Sequence, residues 1–85
     1  MIGDYVDIEC EVRPGLHPSM RTIVMPTARG GTHELSLSQS FIVGGRVRLP
    51  VVMRKPDEVL VEYPLECANG HWRAWVRSEL CRTVP

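Results

Sequence analysis

The sequence predicts a small all-β domain, either a barrel of five or six strands or a strongly coiled antiparallel sheet. Three observations carry that expectation. Apolar and polar residues alternate with period two over several short runs, Pro or Gly interrupts those runs every few residues, and no stretch shows the 3.6-residue periodicity of an amphipathic helix. With 85 residues there is room for a single domain spanning 1–85, and a chain of this size buries about 60–65% of its unfolded surface. Closing or coiling the sheet follows, because so short a chain cannot otherwise cover its exposed strand edges.

The first run, YVDIECEVR, sets Val6, Ile8, Cys10 and Val12 on one face and Asp7, Glu9, Glu11 and Arg13 on the other, as a half-buried strand does. RPGLHPS follows, where Pro14-Gly15 and Pro18 stop any regular element. MRTIVM is β-branched enough for a second strand and ends at Pro26, and TARGGTH supplies the freedom of two glycines. Residues 34–43 are ambiguous: Leu35 and Leu37 alternate with Ser36 and Ser38 as in a strand, yet Thr32 could cap a helical turn. The strand reading is adopted. After Gly44-Gly45, RVRLPVVM places Val47, Leu49, Val51 and Met53 on one face and Arg46 and Arg48 on the other. Pro50 cannot donate to a ladder, so this strand is expected at an edge or with a bulge there. RKPDE turns the chain, VLVEY is the next strand, PLECANGH connects, and WRAWV is the last long strand.

Charge is balanced overall but unevenly spread. Residues 1–12 sum to −4, residues 13–55 to +6 and residues 56–85 to −2, and nine of the ten basic residues are Arg, which suits interfaces better than Lys does. The 44% hydrophobic content is that of a folding chain rather than a disordered one. The N-terminus, Met1-Ile2-Gly3-Asp4, carries neither a basic segment nor a long apolar run, so no secretory signal, no membrane association and a cytoplasmic location are expected. Cys10, Cys67 and Cys81 are odd in number and widely spaced, which favours reduced thiols over a disulfide framework.

The C-terminal WVRSEL after a glycine-containing turn resembles the closing segment of Src-homology-3-like small β-barrels, and GGRVRL resembles their glycine-led early strand. The resemblance covers the C-terminal half. It implies that Trp75-Val76 end a strand, Arg77-Ser78-Glu79 make a 3₁₀ turn and Leu80-Cys81-Arg82 begin the final strand. In the polyproline-binding members the position of Arg77 is a proline and that of Leu80 a tyrosine, so polyproline recognition is not carried over.

On a strand of period two, Trp72, Ala74 and Val76 share one face and Arg73, Trp75 and Arg77 the other. The first set is assigned to the core. Trp75 then lies outside between two arginines, a composition favoured at protein interfaces and at stacked nucleobases. Arg46, Arg48, Arg73, Trp75 and Arg77 are therefore the candidate partner-binding residues.

Catalytic and metal chemistry find less support. Cys67 and His71 with Cys81 or Cys10 offer zinc-type ligands, but no C-x₂-C pair is present, so no metal and no cofactor are expected. Ser36, Ser38 and Ser40 lie near His33 without a G-x-S-x-G elbow, and Glu62 and Glu66 are more simply solvated than paired. A small barrel has little room for a deep pocket, so neither an enzyme nor a small-molecule site is expected. Three functions remain. The first is a non-enzymatic protein-interaction or assembly module, with a protein partner or self-association through the Arg/Trp face and the acidic N-terminal strand opposing it. The second is a single-stranded nucleic-acid binder using Arg46, Arg48, Arg54, Lys55, Arg73 and Arg77 with Trp75 to stack, against which the neutral net charge weighs. The third is a small inhibitor or accessory protein of a mobile element, which the size alone fits.

Overall fold

The computed structural model describes residues 4–84 and is all-β, with nine strands and two 3₁₀ turns in that range. Residues 1–3, on which the expectation of no secretory signal rested, lie outside the described residues. No helix among the described residues is long and apolar enough to cross a membrane.

The strands are β1 (Tyr5–Glu9), β2 (Glu11–Pro14), β3 (Met20–Pro26), β4 (Thr32–Ser38), β5 (Ile42–Val43), β6 (Arg46–Arg54), β7 (Glu58–Glu62), β8 (Arg73–Arg77) and β9 (Cys81–Thr83). They form two antiparallel sheets, one in the order β8-β7-β6-β1-β9 with β5 also on β6, the other in the order β2-β3-β4. The larger sheet does not close on itself into a barrel.

Alternation decides which side chains meet between the sheets. Val6 and Ile8 of β1, Ile23 and Met25 of β3, Leu35 and Leu37 of β4, Val47 and Leu49 of β6, Val59 and Val61 of β7, and Ala74 and Val76 of β8 are all buried. The run expected as one strand over 5–13 breaks at Cys10, where the chain leaves the larger sheet and enters the smaller one. Cys10 and Val12 still pack against the core, so the facing persists although the partner strand changes. The ambiguous 34–43 segment is strand to Ser38, a 3₁₀ turn over Gln39–Phe41 and the two-residue β5. Ser38 caps that turn by accepting from the Ser40 backbone N–H.

Strand β6 is an interior strand that changes partners. Residues 46–50 pair with β1 and residues 51–54 with β7, so Pro50, which lacks an N–H, stands where the ladder switches. The register shifts between Val51 and Met53. That shift turns Met53, expected on the same face as Val47 and Leu49, outward to 52% exposure.

Trp72 also departs from its expected place. Strand β8 begins at Arg73, the backbone bends at Trp72, and the indole is 54% exposed. Tyr63 and Cys67 occupy the core at this end instead, at 3% and 5% exposure. Tyr63 donates its backbone N–H to the Trp72 carbonyl at 2.8 Å, so the two residues are partners across the ladder and the buried ring is the tyrosine.

Candidate functional site

Because Ala74 and Val76 turn inward, Arg73, Trp75 and Arg77 stand together on the outer face of β8. Trp75 is half-buried and lies across from Leu60, which lies across from Met53, giving an apolar row over three strands. On either side of this row run charged pairs, Arg77 opposite Glu58 and Arg73 opposite Glu62. Arg73 makes an ion pair with Glu62 at 3.2 Å.

Glu58 is taken by a different cation. Arg29, from the loop of residues 27–31, reaches it at 3.2 Å and also lies 5.5 Å from the centre of the Trp75 indole. One Glu58 oxygen is buried with no aligned hydrogen bond, so the contact with Arg29 is electrostatic. Arg77 consequently makes no ion pair among the described residues. Lys55, from the turn between β6 and β7, is equally unpaired and sits 4.5 Å from the Trp75 ring centre. Cation–π contacts of this kind contribute about 0.5–1 kcal/mol each at exposed sites.

The 27–31 loop is fixed to β8. Ala28 donates its N–H to the Trp75 carbonyl at 2.8 Å, and Thr27 braces the loop by donating Oγ1–H to the Gly30 carbonyl at 2.7 Å. Gly30 and Gly31 both have positive φ, 93° and 76°, which this tight return requires. From the sequence, ARGGT reads simply as a turn. Nothing in its residues signals that it delivers Arg29 to Trp75.

Arg46 and Arg48 lie elsewhere, on the outer face of the first half of β6, separated from β8 by β7 and by the β6 bulge. Here the acidic N-terminal strand pairs with Arg48, while among the described residues Arg46 makes no ion pair and its buried Nε has no hydrogen-bond partner. Arg48 donates Nε–H to Asp7 at 2.7 Å and an Nη2–H to its other carboxylate oxygen at 3.0 Å, while Arg46 stands opposite Glu9. Asp4 meets Arg54 at 3.6 Å, and Glu11 pairs with Arg13. The segmental charges of −4 and +6 are therefore largely satisfied locally. The five candidate residues fall into two groups, each with one arginine that makes no ion pair among the described residues, and the β8 group alone carries the aromatic ring.

The hydrogen bonds from Arg48 hold the Asp7 carboxyl below its ordinary value of 3.8; burial opposes them, and the charges of Arg48 and Arg46 add to the depression. A depressed carboxylate contributes stability that is complete above the unfolded-state value and is lost as pH falls through the folded one. Urea midpoints between about pH 5 and 2 therefore fall more steeply in the wild type than in Arg48→Met. Parallel curves would show that the pair contributes nothing.

The residues weighed for chemistry do not assemble in the groups the sequence suggested, although His33 and His71, drawn from different groups, meet. His33 faces the same way as Leu35 and Leu37, whereas Ser36 and Ser38 point to the other side of β4. Cys67 donates its backbone N–H to the His71 carbonyl at 2.9 Å and is buried. Burial pushes the Cys81 thiol up to about 11 and also raises Cys10, which keeps both protonated near neutrality. A further feature has no counterpart in the sequence-based expectations, which left little room for a pocket. A cleft of about 430 Å³ opens beside β8, and His33, His71, Arg29, Arg73 and Trp75 contribute to its wall. No protein-family model, no curated protein and no solved structure matches this chain.

Proposed function

We propose that this chain is a non-enzymatic protein-interaction module of the Src-homology-3-like kind, binding a partner through the outer face of β8. The observation that carries the reading is the half-buried Trp75 with Lys55 at 4.5 Å and Arg77 two residues along, both cations lacking an ion pair among the described residues. A flat ring beside cations that make no ion pair suits a protein segment that offers an apolar side chain and a carboxylate. The Src-homology-3-like part of the proposal draws support from the 3₁₀ turn at Ser78–Leu80, one residue later than the resemblance implies, followed by the short final strand.

A nucleic-acid partner is the second reading, favoured by the same cation and indole contacts. Glu58 and Glu62 on the neighbouring strand weigh against it, because they set a carboxylate beside Arg29 and Arg73, where a phosphate track needs free charge. The partner reading predicts that proteins retained from a host lysate by the immobilised chain survive nuclease treatment. It also predicts that Trp75→Ala lowers their affinity by about 30-fold, the loss typical of an interface anchor. Sedimentation at low and high salt tells whether the partner is a second copy. Retention that Trp75→Ala leaves unchanged removes the reading. Salt-steep binding to mixed single-stranded oligonucleotides transfers it to nucleic acid.

A further inference from the structure

The cleft beside β8 has a chemistry of its own. His33 Nδ1 lies 2.7 Å from the Tyr63 hydroxyl, with the two rings edge to face at 5.8 Å. Burial raises the Tyr63 pKa, so the phenol stays protonated and its O–H donates. Nδ1 of the neutral imidazole is then the acceptor and Nε2 carries the proton. His71 lies flat against His33, ring centres 4.8 Å apart and planes 11° apart. Two stacked imidazoles cannot both charge without repulsion unless an anion joins them.

Arg29 and Arg73 also line the cleft, but each already has a carboxylate, Glu58 and Glu62, at 3.2 Å. Fixed charge in the cleft is thus nearly balanced while His33 is neutral and becomes positive when His33 is protonated. Such a site compensates one negative charge better than two. Trp75 supplies a flat apolar wall. A volume of about 430 Å³ falls in the range of small-molecule sites.

We propose that this cleft binds a small aromatic carboxylate, with its ring against Trp75 and its carboxylate on the His33–His71 pair. The cleft shares Trp75 and Arg73 with the partner face, but the His33–His71 pair lies outside it, so the inference rests on the cleft's own geometry and not on the partner reading. Binding is proton-linked. The charged and titratable groups around the pair are Tyr63 from the end of β7, Arg29 from the 27–31 loop, Arg73 from β8 with Glu62 behind it, and Glu66 and Cys67 on the segment that carries His71. Burial first, and then the neighbouring His71, hold the His33 pKa below its ordinary value. A bound carboxylate reverses that bias, so affinity rises as pH falls through the imidazole range.

Titrations followed by the Trp75 indole and histidine ring resonances test this with benzoate, N-acetylphenylalanine, acetate and benzyl alcohol at about pH 7.5 and about pH 5.5, a range over which carboxylates keep their charge. Saturable shifts are expected with benzoate or N-acetylphenylalanine, tighter at the lower pH, with acetate and benzyl alcohol weaker by about tenfold, the loss of roughly one good contact. N-acetylphenylalanine binding the tighter of the two identifies a peptide chain end as the source of the ligand, and benzoate the tighter identifies a free aromatic acid. His71→Ala, an exposed change that leaves the Tyr63–His33 bond in place, weakens binding and flattens its pH dependence. The proposal fails if neither carboxylate binds saturably, if benzyl alcohol matches benzoate, or if wild-type affinity is the same at both pH values.

Discussion

Truncating Leu49 to alanine lowers the unfolding free energy by about 2–5 kcal/mol, the largest effect expected of any substitution considered for this chain. Leu49 is fully buried and lies opposite Val6 of β1, immediately before Pro50, where β6 passes from β1 to β7. A cavity at this point loosens contacts at the junction of both halves of the larger sheet, and strands fixed by ladders on either side cannot collapse to fill it. Domains of this size hold about 0.05–0.15 kcal/mol of stability per residue, so one such truncation removes a large part of the total. Val52→Ala, at a position 40% exposed on the same strand, shifts stability by no more than about 0.5 kcal/mol. Urea unfolding of the three proteins is the measurement. A Leu49→Ala penalty no larger than that of Val52→Ala would mean that β6 is not the strand joining the core.

Period-two alternation made most of this core legible from the sequence. Val6, Ile8, Val47, Leu49, Ala74 and Val76 are buried as their spacing indicates, because a strand offers its side chains no other choice of face. What the sequence did not disclose are events at strand ends and irregularities. The shift after Val51 sends Met53 outward, the bend at Trp72 removes an indole from the core, and the break at Cys10 starts a second sheet. Each depends on which strand pairs with which, and alternation carries no information about pairing. The candidate site divides in the same way. Placing Arg73, Trp75 and Arg77 on one face required only the local period. The neutralisation of Arg48 by Asp7, 41 residues away, and the delivery of Arg29 to Trp75 required the topology. His33, Tyr63 and His71 were equally dispersed in the chain, and the meeting of β4, the end of β7 and the approach to β8 is what stacks them.

One methyl group added at Gly15 carries the second largest expected penalty, about 1–3 kcal/mol, the cost of forcing an atom into closed backbone. A Cβ there would lie 2.6 Å from the Met20 carbonyl oxygen and 2.7 Å from its carbon, and no side-chain rotation relieves a clash with main chain. The approach is close because the loop is tied across itself. Gly15 donates its N–H to the Met20 carbonyl at 3.2 Å, and Met20 donates its own to the His17 carbonyl at 2.9 Å. Arg21 then clamps the outside, donating from Nη1 to the carbonyls of Pro18 and Met20, each at 2.8 Å. Gly15 is not among the positive-φ glycines, so the requirement is for space and not for a left-handed conformation. Gly44 is the opposite case, with φ at +57° and nothing within 4 Å of an added Cβ, so Gly44→Asn, which that conformation tolerates, is nearly neutral. Urea unfolding separates the two requirements, and amide exchange at Met20 localises the effect, rising in Gly15→Ala as the cross-loop bonds part. Equal stability of Gly15→Ala and wild type would show that the loop yields freely, and that the Arg21 clamp does not hold β2 and β3 at this turn.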